Sequence, residues 1–514
     1  MKIQLVPNKM RSWIGIIVAL LSFSACYIIG GNIVKCGVLS VAFVVTSLVR
    51  LSIQDSLTLP VTVFEILLSA FVGLYLSQFL LGEGLASITP LSVLLGYCCC
   101  LMVIGMLFLL LPIIHADAAI GIGMLLLMST ANHFVYTFRG TELHFIDLFS
   151  VATAANVVSQ YHYFPTANMV YSWVLYFLYL FVLSTIVIKP IRWKSMKHLK
   201  ASIPFLMATL LFAITSGHVN IYHFSNDGTY HNGYILNFIL TMKDVFVEKP
   251  DNYSCQTAEL LAAKYTTVPT IEDYPHIIVI MDESYADLSV LGTELKTDSV
   301  ISPFINSLEE NTIKGYALSS AFGGRTANSE FEFLTGSTMG FLPNESIAFQ
   351  QFMHNGQYSL VSQLESFGYR TVAAHPYLAN GWMRSTIWPK LGFDKCFFLD
   401  DFPQTDLIRG LVSDQEMIEY IISFYKNWDS ESPFFFYGVT MQNHSSYDYK
   451  ETDFIASVQL TGYSRDYSDA EQYLSLLQDT DEAIKNLIAY FSTVKDPVVI
   501  LFYGDHLPAL SHVC

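Results

Sequence analysis

The sequence predicts a polytopic α-helical membrane domain followed by an extracellular α/β domain with a mainly parallel sheet. The first observation is composition: 52% of the 514 residues are hydrophobic and 14% are charged, about half the charged share of ordinary soluble domains. The second is segregation, because the long apolar runs end near residue 222. The third is that short β-rich runs alternate with longer helical stretches after Pro275, which is typical of βαβ units. A soluble protein of one compartment is excluded.

Seven apolar runs in the first half approach or exceed the roughly 20 helical residues that cross a hydrocarbon core of about 30 Å. They lie near residues 12–30, 32–50, 57–81, 89–114, 117–137, 168–189 and 202–222. The mixed stretch 138–167 carries Arg139, Glu142, His144 and Asp147. Because such groups are costly in lipid, this stretch is expected to be a re-entrant or interfacial helix. Residues 1–222 are therefore predicted to form a transmembrane domain of about seven helices.

The basic residues predict the orientation of these spans. They cluster before the first span, at the end of the second and before the last, at Lys2, Lys9, Arg11, Arg50, Lys189, Arg192, Lys194, Lys197 and Lys200. The positive-inside rule makes these regions cytoplasmic. With seven spans, the N-terminus is cytoplasmic and the chain after residue 222 is extracellular, in a multi-pass protein of the cell membrane. A cleaved signal peptide or a lipoprotein site at Cys26 is the alternative, but further spans follow at once.

Charge and cysteine content exclude other classes. The formal net charge of −17 leaves no basic surplus to neutralise phosphates, so nucleic-acid binding is not expected. Among the eight cysteines no CxxC pair occurs, which argues against a zinc ribbon or a dense disulfide scaffold. A bridge between Cys255 and Cys396 is the minor alternative.

The outer half divides into a juxtamembrane connector at 223–272 and an α/β domain at 273–514. Four apolar runs in this domain are predicted to be strands, and each is followed by polar or ligand-type side chains. They are HIIVIM at 276–281, YRTVAA at 369–374, PFFFYGVTM at 433–441 and VVILFY at 498–503. In open parallel sheets, ligands bind outside the carboxyl ends of the strands. The residues that follow these runs are therefore expected to form one site.

Glu283, Asp505 and His506 are the candidate metal ligands among those residues. Carboxylate oxygens with one imidazole suit Mn²⁺, Zn²⁺ or Mg²⁺. Strand alternation sends Asp282 and Glu283 to opposite faces, so only one of the two is expected to be a ligand. The alternative for any one of them is a helix N-cap or a turn residue.

The segment AFGGRTANSEFEFLTG at 321–336 predicts a tight turn followed by the start of a helix. A hydroxyl at a helix N-terminus lies beside free N–H groups that favour a phosphate. Thr326 is therefore either an ordinary N-cap or a nucleophile activated by a bound metal. Ser329 is the second candidate hydroxyl.

The segment GWMRSTIWPKLGFDKCFF at 381–398 places Trp382 two residues before Arg384. In an extended chain the two side chains would share a face, where the arginine could clamp a phosphate. A surface arginine stacked on a structural tryptophan is the alternative. A bound metal, Arg325, Arg384 and Lys390 are also expected to supply a local positive patch in an otherwise acidic domain.

Taken together, these motifs resemble the lipoteichoic acid synthase family of Gram-positive bacteria over residues 272–514. The resemblance implies an alkaline phosphatase/sulfatase-like fold. It also implies that Thr326 becomes phosphorylated and, with Glu283, Asp505 and His506, ligates one divalent metal, Mn²⁺ first and Mg²⁺ or Zn²⁺ as alternatives. Substrate-binding roles are implied for four residues: Trp382, Arg384, His444 and His375. A sulfatase activity is not expected, because threonine stands at the nucleophile position and no cysteine lies in a Cys-x-Pro-x-Arg arrangement.

The implied activity is a metal-dependent phosphoglycerol transferase. It would move glycerophosphate from phosphatidylglycerol to a growing polyglycerophosphate or glycolipid acceptor at the membrane. The alternatives are a phosphoethanolamine transferase of the same superfamily and a non-catalytic membrane binding protein. The segment after His375 lacks the family's acidic residue, which puts one substrate contact in doubt. The chain ends eight residues after His506, whereas family members continue with further strands, so a domain incomplete at its C-terminus is expected. Nothing in the sequence indicates the oligomeric state.

Overall fold

The computed structural model describes residues 2–5, 9–111, 113–157, 163–189, 191, 195–223, 225–247, 249–264, 274–353, 357–447, 454–463 and 467–510. The chain divides into two compact units. The helical unit comprises Met1–Phe145 and His162–Lys243, and the α/β unit comprises Ile146–Tyr161 and Asp244–Cys514. The expected domain boundary at residue 272 falls outside the described residues.

The helical unit contains ten helices and a small sheet within the described residues. The helices are α1 (Lys9–Ile28), α2 (Ile33–Ser47), α3 (Thr58–Leu80), α4 (Pro90–Leu110), α5 (Ala116–Arg139), α7 (Ala167–Leu183), α8 (Met196–Ala201), α9 (Ile203–Thr215), α10 (Asp227–His231) and α11 (Tyr234–Leu240). The strands are β1 (Lys2–Leu5), β2 (Val49–Ser52) and β3 (Ile186–Val187), paired in that order. Helices α10 and α11, which the sequence assigns to a connector, pack within this unit.

Five stretches of the described residues are long and apolar enough to cross a membrane. They are Met10–Ile28, Asp55–Leu80, Pro90–Leu110, Ala116–Arg139 and Met196–His218. Two other predicted spans, 32–50 and 168–189, correspond to shorter apolar helices, α2 and α7. Helix α2 is short because the chain turns into β2, which pairs with β1 and β3. The membrane character is thus supported, while the count of seven spans stays a prediction.

The α/β unit contains nine helices and seven strands within the described residues. The helices are α6 (Val151–Val157), α12 (Cys255–Lys264), α13 (Pro303–Ser307), α14 (Thr326–Thr335), α15 (Ala348–Gln351), α16 (Leu360–Ser366), α17 (Arg384–Leu391), α18 (Asp414–Lys426) and α19 (Ser468–Phe491). The strands are β4 (His276–Asp282), β5 (Arg370–Ala374), β6 (Lys395–Phe397), β7 (Leu407–Ile408), β8 (Leu411–Val412), β9 (Phe434–Val439) and β10 (Val498–Gly504).

All pairings in the main sheet are parallel, and its strand order is β10-β4-β9-β5-β6. The four predicted strands occupy four adjacent places in this sheet, which confirms the predicted parallel α/β fold. Sequence reasoning missed β6, a three-residue edge strand, and the short antiparallel pair of β7 and β8. Because the strands are parallel, the residues that follow β4, β5, β9 and β10 all lie at the carboxyl end of the sheet.

Helices cover both faces of this sheet. On one face Met281 and Tyr437 pack with α14, α16 and α17, and on the other Ile280 and Phe436 pack with α18 and α19. Every residue of β9 is buried. Burial on both faces explains why the strands are nearly continuous apolar runs rather than alternating ones.

Candidate metal centre and nucleophile

Three ligand-type side chains meet where β4 and β10 end. One potential ligand atom from each of Glu283, Asp505 and His506 lies within 4.8 Å of the other two, and all three side chains are buried. Strands β4 and β10 are neighbours in register, with Asp282 opposite Gly504. The register therefore delivers the following residues of both strands to the same point.

Backbone and hydroxyl groups hold Asp505 in one orientation. The backbone N–H groups of Ser284 and His506 both donate to its Oδ1 at 2.7 Å. The hydroxyls of Ser319 and Ser329 donate to its carbonyl oxygen at 2.6 and 2.7 Å. Its second carboxylate oxygen, Oδ2, is left to face His506 Nε2 at 3.2 Å. Ser329, the second candidate hydroxyl, is thus engaged in holding the backbone after β10.

Thr326 begins α14 after a turn with left-handed backbone. Gly323, Gly324 and Arg325 have φ of 63°, 146° and 68°, and glycine adopts such values without strain. Arg325 takes the N-cap position, so the reading of Thr326 as the N-cap is wrong. The Thr326 hydroxyl instead donates to Glu283 Oε2 at 3.2 Å. The structure therefore brings the four predicted metal-site residues together.

Burial and mutual charge perturb the acids of this cluster. Burial, followed by the charge of Glu283, raises the pKa of Asp505 to about 7. Burial also acts to raise the pKa of Glu283, yet the nearby His506 and His444 imidazoles bring it below its ordinary value. Two carboxylates this close disfavour each other's ionisation. A divalent cation between them would remove that cost.

The donor set fits such a cation. Asp505 Oδ2 and His506 Nε2 are buried and have no hydrogen-bond partner among the described residues. The other ring nitrogen, His506 Nδ1, lies 3.0 Å from the Leu507 carbonyl, and donation there leaves Nε2 with its lone pair toward the carboxylates. Two carboxylates, one imidazole and one hydroxyl suit Mn²⁺, Mg²⁺ or Zn²⁺. The assignment of these residues as ligands stays a prediction.

Arg384 is buried and paired with a carboxylate that the sequence analysis overlooked. Its Nε donates to Glu330 Oε1 at 2.9 Å, and its Nη2 lies 2.8 Å from the same oxygen. Trp388 Nε1 donates to Glu330 Oε2 at 2.9 Å. The condition for a shared face, an extended chain, is not met: Trp382 lies in a short 3-10 turn with φ of 50°, and Arg384 begins α17. The alternative of a surface arginine is wrong.

Both arginines expected to form a positive patch are neutralised. Glu330 holds the Nε and Nη2 edge of Arg384, and Arg325 is paired with Glu345 and lies 4.0 Å from Asp147. These ion pairs make the region less positive than the sequence suggests. Any attraction for an anionic phosphate would then come chiefly from a bound cation.

The two remaining candidate histidines follow β5 and β9. His375 is buried, and its Nδ1 lies 3.0 Å from the Val439 carbonyl. Burial and then the charge of Arg384 hold the pKa of His375 well below its ordinary value. Burial likewise lowers the pKa of His444, although the charge of Glu283 acts in the opposite direction. Both imidazoles are therefore favoured in the neutral form near neutral pH.

Two further residues shape the site: sequence reasoning missed Glu330 and gave Asn443 no separate role. Glu330 lies four residues after Thr326, so both are on one face of α14, and this spacing was the signal available. Asn443 donates to Asp282 Oδ1 at 2.8 Å. That bond holds Asp282 apart from the cluster of Glu283, Asp505 and His506, in line with the expected alternation.

Comparison with known proteins finds similarity in the α/β unit. The model of the sulfatase family matches residues 275–513. A putative cyclic beta-1,2-glucan modification protein of Rhizobium meliloti (strain 1021) is 30% identical over 292 residues, which are 55% of this chain and 44% of that protein. The lipoteichoic acid synthase-like protein YvgJ of Bacillus subtilis (strain 168) is 26% identical over 216 residues, 40% of this chain and 33% of that protein. The matches thus span less than half the length of these curated relatives.

One solved structure resembles most of the chain. It is the integral membrane protein lipooligosaccharide phosphoethanolamine transferase A (EptA) from Neisseria meningitidis, with a TM-score of 0.53 and 13% identity. The likeness covers 87% of this chain and 83% of that one, so the fold extends over both the apolar helices and the α/β unit. Residues 275–513 are thus similar to the sulfatase family, and the proteins to which the chain is similar include two from Bacillus subtilis (strain 168) named as a lipoteichoic acid synthase and a lipoteichoic acid synthase-like protein.

Proposed function

We propose that the chain is a metal-dependent phosphoglycerol transferase. It moves glycerophosphate from phosphatidylglycerol, through a phosphothreonine at Thr326, to a polyglycerophosphate or glycolipid acceptor. One observation carries this proposal: the Thr326 hydroxyl, at the start of a helix, contacts Glu283 within the buried group of ligand atoms. A hydroxyl becomes a useful nucleophile only when its pKa is lowered or a base accepts its proton.

The first step exchanges one phosphate ester for another. Thr326 Oγ1 forms a bond to phosphorus while the bond from phosphorus to the diacylglycerol oxygen breaks. The hydroxyl proton leaves along the existing hydrogen bond to Glu283, and the departing diacylglycerol oxygen gains a proton. His444 is the imidazole of this cluster that can carry that proton, because both ring nitrogens of His506 are assigned to the Leu507 carbonyl and to the cation.

The second step returns Thr326 to its starting state. The acceptor's hydroxyl oxygen bonds to phosphorus and the bond to Thr326 Oγ1 breaks, so the glycerophosphate passes to the acceptor and the threonine regains its proton. When bound, a divalent cation, Mn²⁺ first, supplies charge neutralisation at the phosphoryl oxygens and lowers the pKa of the hydroxyl. Asp505 and His506 would hold it with Glu283 and Thr326.

The candidate substrate-binding residues follow strands at the same carboxyl end of the sheet. Arg384, oriented by Glu330, would contact a phosphoryl oxygen, while Trp382, His375 and His444 would line the pocket for the glycerol. The lipid donor requires a site beside a membrane, and the apolar helices of the chain supply the anchor. We assign the helical unit, which includes α10 and α11, to that anchor and the α/β unit, which includes residues 273–514, to the catalytic domain, with the N-terminus cytoplasmic and the catalytic domain outside.

Labelled lipids test the donor. Membranes containing the full chain would be incubated with Mn²⁺ and either phosphatidylglycerol or phosphatidylethanolamine, each labelled in its diacylglycerol part. We expect diacylglycerol from phosphatidylglycerol with the wild-type chain and none with Thr326→Ala. Release from phosphatidylethanolamine alone would make the chain a phosphoethanolamine transferase. Release that survives Thr326→Ala would refute the nucleophile.

A further inference from the structure

Residues 146–157, here called the rim segment, connect two apolar helices in sequence but belong to the α/β unit. The segment consists of most of a 3-10 turn over Phe145–Ser150 followed by α6. Its polar residues recur every third position, at Asp147, Ser150, Thr153 and Asn156. Such spacing gathers them on one side of a helical segment.

That polar side is bound to the α/β unit at two places. The Ser150 hydroxyl donates to Gln350 Oε1 at 2.6 Å, and Gln350 Nε2 donates to Thr153 Oγ1 at 3.1 Å. Asn156 Nδ2 donates to Asn380 Oδ1 at 2.8 Å, and the Tyr377 hydroxyl donates to the Asn156 carbonyl at 3.0 Å.

These contacts reach the loops that carry the site. Asn380 immediately precedes the turn with Trp382, and Asp147 lies 4.0 Å from Arg325, the residue before the nucleophile. The rim segment is therefore hydrogen-bonded to the loop before Trp382 and lies 4.0 Å from the residue before Thr326, so it adjoins both loops of the proposed active site.

The other side of the rim segment is apolar and exposed. Leu148, Phe149 and Val151 are 49%, 51% and 60% exposed. Three neighbouring large apolar side chains exposed to water form an apolar patch of the kind that contacts another protein or a membrane.

Chain connectivity indicates what that partner is. Residues 140–145 join the segment to the end of α5, a candidate membrane span, and six residues reach at most about 20 Å. Residues 158–166 join it to the start of the apolar α7, over at most about 30 Å. If α5 and α7 enter the membrane, a segment tied this closely to both would lie near its surface, where an apolar helical face inserts at the boundary of headgroups and acyl chains.

We propose that the rim segment docks the mouth of the active site on the lipid bilayer, with Leu148, Phe149 and Val151 contacting acyl chains. Its polar side keeps the nucleophile loop and the Trp382 turn at headgroup level, where a phospholipid donor presents its phosphate. The role in turnover rests on the proposed function, whereas contact with the bilayer does not.

Two donors separate the docking role from a structural one. The triple variant Leu148→Ser, Phe149→Ser, Val151→Ser would be reconstituted in vesicles and assayed with long-chain phosphatidylglycerol in the bilayer and with water-soluble dihexanoyl phosphatidylglycerol. We expect the long-chain rate to fall by on the order of tenfold, with the soluble donor within about twofold of wild type. Ile455→Ser, which alters a side chain 87% exposed elsewhere on the same unit, should change neither rate. Equal losses with both donors, or no loss with either, would overturn the proposal.

A fluorescence measurement needs no turnover. Phe149→Trp and the control Ile455→Trp would each be placed in vesicles whose acyl chains are brominated. The emission added at position 149 should be quenched by the bromolipid, and that added at position 455 should not. Equal quenching at both positions, or none at 149, contradicts bilayer contact. If quenching occurs but the wild-type chain turns over no phosphatidylglycerol, the docking stands and the proposed donor fails.

Discussion

Glu330 is expected to position Arg384, and replacing it with glutamine tests that role. Both side chains are buried, with 0% exposure for Glu330 and 3% for Arg384. Removing one partner of a buried ion pair costs about 3–5 kcal/mol, because the other charge is left unpaired. The glutamine oxygen can accept from Arg384 or Trp388, but its NH₂ group then faces the other donor. For a unit of this size that loss lowers the Tm by about 6–20 °C.

A double-mutant cycle gives the decisive comparison. Thermal unfolding would be followed in detergent for Glu330→Gln, Arg384→Met and the double variant, with Glu332→Gln on the same helix as the matched control. The double variant should be clearly more stable than the sum of the single losses predicts, because neither charge is then orphaned. The kcat/KM of Glu330→Gln for the lipid donor should fall by about 10²-fold, as expected for a displaced phosphate-binding group. Additive losses would refute the pairing, and an unchanged kcat/KM would refute the positioning role.

The remaining predictions concern the nucleophile, the cation and the sheet. Ser329→Ala should lower the rate of diacylglycerol release by less than about tenfold, whereas Thr326→Ala should abolish it. Equal effects of the two variants in a steady-state assay would contradict the division of roles between the two hydroxyls. Mn²⁺ at about 100 times its Kd should raise the unfolding free energy by about 2.7 kcal/mol, and Asp505→Asn should remove most of the resulting rise in Tm; a rise that persists in the variant places the ion elsewhere. The Nδ1 atom of His276 accepts the Phe434 N–H at 3.2 Å, and burial lowers the pKa of this imidazole. The neutral imidazole therefore stabilises the folded chain fully above pH about 6.5, and this stabilisation is lost as the pH falls below that value. Tm measured from pH 7.5 to 5 should therefore decline less in His276→Gln than in the wild type, and an equal decline would contradict the assignment.

The sequence predicted both the parallel strands and the clustering of the residues that follow them, for one physical reason. Runs such as Phe434–Val439 are apolar throughout because both faces of the sheet are covered, and parallel strands end at one edge. Glu283 and Asp505 therefore had to meet once their strands were neighbours. A short segment of sequence, an apolar run followed by acidic residues, is therefore enough to predict both a buried strand and the site residues at its end.

The parts that sequence reasoning missed depend on contacts between distant segments. Glu330 finds Arg384 only because α14 and α17 pack in the same core. The shortening of α2 reflects pairing of β2 with β1 and β3. The sequence predicted an interfacial helix in this region but not that residues 146–157 pack on the α/β unit. The three-residue spacing of the polar side chains was present in the sequence and could have indicated that packing.

The most direct test of the account is the mass of the peptide that contains Thr326. The full chain in vesicles with Mn²⁺ would be quenched in acid during turnover of phosphatidylglycerol, digested and analysed by mass spectrometry. The account predicts a glycerophosphoryl group on Thr326 that disappears when an acceptor is supplied in excess. Sustained turnover with no adduct, or an adduct on Ser329 instead, would contradict it.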